Sequence, residues 1–515
     1  MHKGYVWSSV GGILVLIGMM MLIPAAVGVY FGEPEYLVFL CCASAAWLIG
    51  SILYVGLRQK ELQKKRFRLM MKDSYAIVTY GWIAAVLFAM LPYLFTGSMH
   101  TITDAFFEAT SGFTMTGATV LQQIEAQARC VLLWRSLTQW LGGMGVLVLF
   151  VALINGQNQG SLQLVRADGM GASKQRIHPK TLETAAGLAL IYMSHTALCI
   201  ILYFVAGMGW FDALNHGLTV ISSGGFSTRN AGIGSFQNVA IEWVTIFAMF
   251  LTGLNYTLFL HAWHNKSLRE LTTSFELRVY VCVVVLVSIV TICMIAPSYD
   301  GNIALAVRHG MFQVLSMITT AGFVVCDFTQ WVIPAQLILI LLLLSGACAG
   351  AVGGSIKLDR HMILMQKSVQ EIRRFLHPNL VTRLKSNHQL LDDDLVLSVS
   401  TFFYIYIALI ICGAAILSMC GLELMAALTA AMSCLGGVGI SFGLGSSAVY
   451  YGAIPVVGKW VLGILMLIGR LEVYAVLVLI HPFHRKLREN ERMQSLEKLE
   501  RDGLIEPFVR DYDDD

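Results

Sequence analysis

The chain has 515 residues, of which 57% are hydrophobic and only 13% are charged, and its formal net charge is +3. Soluble domains carry about 25% charged residues, so this composition excludes an ordinary soluble domain and indicates a polytopic membrane protein. The eleven cysteines are scattered without paired spacings, which predicts small core residues rather than a metal site or a disulfide framework.

The apolar segments are long enough to cross a membrane. The sequence predicts spans near residues 10–31, 36–57, 75–97, 131–154, 183–207, 237–262, 277–297, 335–363, 396–420 and 451–483. Lys and Arg cluster in alternate connections, around residues 58–72, 166–180, 266–278, 357–385 and 485–488. Because positive residues stay on the cytoplasmic side, we expect both termini in the cytosol.

A shorter motif recurs in the outer connections. The stretches 101–120, 210–228, 305–324 and 422–441 each hold a semi-apolar run followed by a small-residue loop with a glycine. Each run has about ten to sixteen residues, too few to span, and such lengths suit a re-entrant segment. The sequence therefore predicts an all-α polytopic membrane protein in which four parallel span, half-helix, loop and span repeats surround a central pore.

The repeats divide the chain into successive parts. Residues 1–74 are predicted to form two extra N-terminal transmembrane helices. The pore repeats are predicted over residues 75–160, 161–265, 266–390 and 391–487. Residues 488–515 form a charged cytoplasmic tail, which is either solvated or a docking surface.

The four loops align on one central glycine each and read MTGAT, SGGFS, TAGFV and GVGIS. The predicted potassium-binding filter residues are Met115, Thr116, Gly117, Ser223, Gly224, Gly225, Thr320, Ala321, Gly322, Gly437, Val438 and Gly439. None is acidic or a histidine, so the ligands on offer are backbone carbonyls and occasional hydroxyls. Such ligands suit a monovalent cation rather than a hard divalent one. Alternatively the glycines serve close helix packing, and in the fourth loop Gly436, Gly437, Gly439 and Gly443 allow several alignments.

A second glycine-rich stretch, SGACAGAVGGS at 345–355, interrupts the second span of the third repeat. It is either an irregular loop or a packing surface between helices. Arg470 lies inside the last predicted span, where a charge is costly unless it has a partner or faces a wet cavity. An ion pair with Glu472 is one alternative. Lys357 either places a positive charge beside the glycine-rich stretch, as Arg470 would, or marks the cytoplasmic interface.

The chain resembles the TrkH/TrkG branch of the Trk/Ktr/HKT superfamily of potassium transporters along nearly its whole length. The segments that carry the resemblance are WRSLTQWLGGMGVLVL (134–149), SSGGFSTRNA (222–231), FQVLSMITTAGF (312–323), GACAGAVGGSIK (346–357) and IGRLEVYAVLVL (468–479). The fourth loop departs from the NNLGPG sequence that is common in close TrkH relatives. The resemblance implies a selectivity filter lined by the four central glycines. Gly117 stands where sodium-passing plant relatives have serine, which favours potassium.

The resemblance also implies a gate and partners. The implied gate residues, below the filter, are Gly346, Gly350, Gly353, Gly354, Lys357 and Arg470. We therefore expect a homodimeric potassium-uptake subunit of the bacterial inner membrane, controlled by a cytosolic nucleotide-binding ring of the TrkA type. No intrinsic cofactor and no nucleic-acid partner are expected. The chain has no P-loop or Rossmann fingerprint, so any nucleotide sensing would come through the partner.

Two other functions compete with channel-like conduction. A potassium–sodium or potassium–proton symporter would need a second coupled ion site, and no acidic relay lies within the predicted spans. A membrane enzyme would need a catalytic constellation such as HExxH or paired aspartates in the spans, and the sequence offers none. We therefore expect conduction without catalysis.

Overall fold

The computed structural model describes residues 3–62, 71–154, 181–267, 274–377, 385–386, 389–391, 393–443, 449–473 and 476. Most of these residues are helical, which confirms the predicted all-α fold. Within these ranges, six helices are long and apolar enough to cross a membrane, so the chain is a multi-pass membrane protein. The predicted tail, residues 488–515, lies outside the described residues.

Two helices precede the first repeat, α1 (Lys3–Phe31) and α2 (Tyr36–Leu62). They approach each other through Gly11 and Gly50. A Cβ on either glycine would lie 2.6–2.8 Å from the carbonyl oxygen of the other. Small residues allow such close packing between membrane helices.

The remaining helices follow the order span, half-helix, loop, span. The first two repeats contain α3 (Met71–Phe95), α4 (Ile102–Phe113), α5 (Arg129–Ile154), α6 (Thr181–Val205), α7 (Trp210–Ile221), α8 (Val239–Thr252) and α9 (Tyr256–Asn265). The last two contain α10 (Phe275–Ile295), α11 (Ile303–Ile318), α12 (Ile333–Leu342), α13 (Leu358–Leu376), α14 (Asp393–Met419), α15 (Leu424–Gly436) and α16 (Val456–Arg470). Short 3-10 helices cover Gly232–Phe236, Ala296–Tyr299 and Phe328–Gln330. In the described ranges, strands are limited to the antiparallel pair β1 (Lys385–Ser386) and β2 (Gln389–Leu390).

The half-helices α4, α7, α11 and α15 have 12, 12, 16 and 13 residues. These are the lengths predicted for re-entrant segments. Every residue of α4 from Ala105 to Phe113 is buried. Non-helical backbone at membrane depth is tolerated where protein encloses it. The buried half-helices and the loops after them meet this condition.

Two predicted spans are broken. The segment predicted as one span over 237–262 is instead two helices, α8 and α9, bent by 80°. The prediction of a continuous span is wrong here because Asn255 starts a new helix, accepting a hydrogen bond from the Thr257 N–H. The segment 335–363 is interrupted between α12 and α13, at the glycine-rich stretch.

Candidate functional site

The four glycine loops end the four half-helices in the same way. In each loop, positive φ angles occur at the central glycine and two residues before it, at Met115 and Gly117, Ser223 and Gly225, Thr320 and Gly322, and Gly437 and Gly439. The residue between them donates its N–H to the carbonyl five residues back, at 2.9 Å, in the pairs Thr116–Ser111, Gly224–Thr219, Ala321–Ser316 and Val438–Ser433. This is the bond of a Schellman helix end. The shared pattern selects Gly439 as the central glycine of the fourth loop.

The central glycines form a closed ring in chain order. A Cβ added to a central glycine would lie 2.5 Å or less from a carbonyl oxygen of the next loop, in the pairs Gly117–Gly224, Gly225–Ala321, Gly322–Val438 and Gly439–Thr116. Each of these oxygens belongs to the residue just before a central glycine. We call the carbonyl oxygens of Thr116, Gly224, Ala321 and Val438 the ring oxygens. The half-helices end beside them, and helix C-termini carry partial negative charge, which favours a cation.

A cavity of about 560 Å³ borders the ring. It is lined by Gly117, Gly225, Gly322 and residues from the connections that follow α4, α7 and α11. Asp327 lies among them, and a hydrogen bond from the Thr329 hydroxyl lowers the pKa of its carboxyl group. The carboxylate therefore stays ionised at neutral pH. A fixed negative charge in such a vestibule raises the local concentration of cations.

The segment 343–357, which we call the gate segment, packs against the loops where the half-helices end. A Cβ on Gly353 would lie 2.6 Å from the Thr319 carbonyl oxygen, and one on Gly354 would overlap the Gly436 carbonyl. The Gly354 N–H also donates to Thr320 Oγ1 at 2.8 Å. The gate segment therefore touches both the third and the fourth loop.

The gate segment is held from several sides. The Gly346 N–H donates to the Ile356 carbonyl at 2.7 Å. The Gly350 carbonyl accepts from the Tyr256 N–H at 3.1 Å, at the break between α8 and α9. Lys357 is 8% exposed, and its Nζ donates to the Ala351 carbonyl at 2.7 Å. The predicted gate residues from Gly346 to Lys357 thus share one compact segment, in which the Lys357 side chain is buried.

Arg470 connects the gate segment to the first repeat. Its Nη1 donates to the Val352 carbonyl at 3.1 Å, and its Nη2 lies 3.1 Å from the Gly142 carbonyl and 3.2 Å from Met115 Sδ. The alternative of an ion pair with Glu472 is wrong. Glu472 instead pairs with Arg360, at 2.7 Å. Arg470 is the last residue of α16, and Glu472 has a φ of 57°, so the chain turns between the two side chains.

Two groups beside the ring are absent from the sequence-based predictions. Arg135 Nε lies 2.8 Å from Glu108 Oε1, with both side chains at most 1% exposed, and Arg135 Nη1 donates to the Ser227 carbonyl at 3.1 Å. Gln139 bonds to the second loop. Arg135 and Gln139 are four residues apart on α5, so they lie on one helix face. Two polar residues four positions apart in an apolar span could have indicated this site from the sequence.

Similarity to known proteins extends over most of the chain. Residues 45–486 match the family described as TrkH, cation transport protein. The chain is 33% identical over 485 residues to the Trk system potassium uptake protein TrkH of Escherichia coli K12, covering 94% of this chain and 99% of the relative. It is 32% identical over 479 residues to TrkH of Halomonas elongata, covering 92% and 98%. The crystal structure of the potassium transporter TrkH from Vibrio parahaemolyticus matches with a TM-score of 0.85 and 29% identity, covering 94% of this chain and 99% of that one.

Proposed function

Because the chain belongs to the TrkH family of cation transport proteins, we propose that it carries potassium ions into the cell through the ring of glycine loops. Membership of a transport family confirms the prediction that the chain is not an enzyme. The ring is the observation that carries the proposal. It gathers backbone carbonyls from four loops that contain no carboxylate, and such carbonyls replace the hydration shell of potassium. The potassium-uptake names of the relatives support the same ion.

In this proposal, conduction is passive and the gate segment closes the path beneath the ring. A membrane potential of 100 mV contributes about 2.3 kcal/mol per charge, which sustains about a fifty-fold accumulation of a monovalent cation. Contacts of the gate segment with the third and fourth loops support its role as an obstruction. Arg470, which bonds to this segment, would oppose cations electrostatically.

The proposal includes the assembly and its location. A homodimer in the bacterial inner membrane, with both termini in the cytosol, would bind a TrkA-type nucleotide-binding ring. The relatives are named as parts of a Trk system, which supports a regulatory partner for this chain. The six apolar helices support the membrane location.

The test is ion flux in reconstituted vesicles. Gly117→Ser should lower the potassium over sodium permeability ratio, because Gly117 has a φ of 81° and a side chain there would displace the Gly224 carbonyl. Wild-type ratios after substitution of all four central glycines would refute the filter. A reversal potential that follows sodium or proton gradients as well as potassium would instead identify a symporter.

A further inference from the structure

A buried amide from α5 reaches the second loop. Gln139 is fully buried, and its Nε2 donates to the Gly224 carbonyl at 2.5 Å. Its Oε1 accepts from the Phe226 N–H at 3.1 Å. The one side chain therefore bonds the backbone on both sides of Gly225. A Cβ on Gly224 would overlap this amide, so the contact requires glycine there.

The Gly224 carbonyl is one of the ring oxygens. Among the described residues, it is the only one of the four ring oxygens that accepts a hydrogen bond from a side chain. An accepted N–H engages one lone pair of the oxygen and fixes its position. The oxygens of Thr116, Ala321 and Val438 are held by backbone geometry, through the helix ends described above.

We propose that Gln139 is a positioning residue that sets the ion preference of the second quarter of the ring. This inference rests on the proposed function and adds a determinant outside the loops. By fixing the Gly224 oxygen, the amide keeps it from closing around an ion smaller than potassium. The same bond lowers the negative charge that this oxygen offers, and a weaker field disfavours the smaller, more strongly hydrated sodium ion.

Gln313 provides a matched control on α11. It is also fully buried, but neither Nε2 nor Oε1 has a hydrogen-bond partner among the described residues. Gln139→Met and Gln313→Met therefore remove the same amide from two buried sites, and only the first removes bonds to a ring loop. Gln139→Glu keeps the acceptor for the Phe226 N–H and removes the donor to the Gly224 oxygen.

The experiment measures the potassium over sodium permeability ratio and the thermal stability of each variant in the full-length protein. A lost hydrogen bond should lower the ratio about threefold to tenfold in both Gln139 variants, which corresponds to about 0.7–1.4 kcal/mol. Gln313→Met should keep the wild-type ratio. Unchanged ratios in the Gln139 variants, an equal fall in Gln313→Met, or failure of both Gln139 variants to fold would overturn the inference. If the wild type itself shows no potassium preference, the proposed function fails instead.

Discussion

At the scale of single residues, the left-handed position two residues before each central glycine is unusual. Met115, Ser223 and Thr320 occupy it with φ near 58°, and Gly437 is the equivalent residue in the fourth loop. A side chain in this conformation costs about 1–2 kcal/mol, and a β-branched residue such as Thr320 is a genuine outlier. The hydrogen bond from Gly354 to Thr320 Oγ1 partly offsets the cost. The same hydroxyl thus belongs to a ring loop and anchors the gate segment.

Thr320→Val should loosen the gate segment. The variant keeps the shape of the side chain and removes the acceptor for the Gly354 N–H. The net loss is about 1 kcal/mol, which raises the open fraction about fivefold if the closed state alone holds this bond. Basal potassium flux in vesicles measures this fraction. Thr320→Ser should behave as wild type, and so should Thr319→Val, whose hydroxyl bonds only within its own helix end, to Leu315. Equal flux in Thr320→Val and wild type would contradict the coupling.

Arg470→Ala should raise potassium conductance. A unit charge about 4 Å from a cation contributes roughly 1–4 kcal/mol of repulsion, depending on the local dielectric. Arg470→Lys should keep most of the barrier, since the charge remains. Glu472→Gln should not rescue any instability of Arg470→Ala, because Glu472 pairs with Arg360. Thermal unfolding in detergent is measured beside flux, and a variant that unfolds earlier and conducts no better would assign Arg470 to the scaffold.

The misassigned partner of Arg470 shows where residue-level prediction ends. Its intramembrane position was evident from the sequence, because a charge within an apolar run is conspicuous. Its partners were not, since they are backbone carbonyls of Val352 and Gly142, which are distant in the chain. Proximity in sequence favoured Glu472, but the helix ends at Arg470 and the left-handed backbone of Glu472 places its carboxylate against Arg360 instead.

At the scale of elements, the gate segment is irregular backbone enclosed by protein. Several of its backbone groups are bonded by side chains from other elements. For example, the Ala349 N–H donates to the Glu276 carboxylate at the start of α10. This is the condition for non-helical backbone at membrane depth. The glycines predicted the interruption, because they weaken a helix, whereas the contact with Glu276 depends on tertiary packing.

Deleting several residues of the stretch 346–354 should raise potassium flux in the absence of any regulatory partner. In the proposed function this stretch obstructs the ion path, so the deletion opens the path and leaves the four glycine loops intact. The measurement is flux in vesicles with a variant that elutes as a single species in gel filtration. Flux that is lost or unaltered in such a folded variant would favour a packing role for these glycines.

The break between α8 and α9 was not predicted for a related reason. The sequence around it reads TGLNY, in which Gly253 and Asn255 are residues that weaken a helix within a mostly apolar run. The Gly253 carbonyl accepts from the Cys348 N–H at 3.2 Å. The bend thus supplies an acceptor to the gate segment, a tertiary demand that local propensity does not encode.

At the scale of the whole molecule, ion pairs join successive repeats. Arg308 on α11 pairs with Glu242 on α8 at 2.5 Å, and Lys459 on α16 pairs with Asp104 on α4 at 2.6 Å. The second pair joins the last repeat to the first. The Arg135–Glu108 pair lies deeper, and Arg135 reaches the second loop as well. These ion pairs connect the helices that surround the ring.

Arg135→Met should destabilise the protein by about 3–5 kcal/mol, because it leaves the Glu108 carboxylate buried without its charge partner. Combining it with Glu108→Gln should recover part of the loss. Lys459→Met is the matched control. Its pair is more accessible, with side chains 10% and 24% exposed, so its loss should cost less. Thermal unfolding in detergent checks all three, and equal shifts for Arg135→Met and Lys459→Met would refute the special role of the deep pair.

The overall arrangement followed from periodic features of the sequence, namely apolar runs, short semi-apolar helices and one glycine per loop. The fourth loop was aligned on Gly439 as well, although Gly436, Gly437 and Gly443 allowed other alignments. The φ angles of Gly437 and Gly439 and the contact of Gly439 with Thr116 match those of the other loops and select this alignment. Backbone angles and contacts between repeats are not local properties of a sequence.

Each quarter of the ring is encoded by its own stretch of one gene. In a pore assembled from four copies of a short chain, one codon change alters every quarter at once, so a tolerated mutation must suit all of them. Here Met115, Ser223, Thr320 and Gly437 fill equivalent positions with four different side chains. A single mutation therefore alters one quarter, so natural selection is able to adjust the four quarters independently, including the third and the fourth, which contact the gate segment.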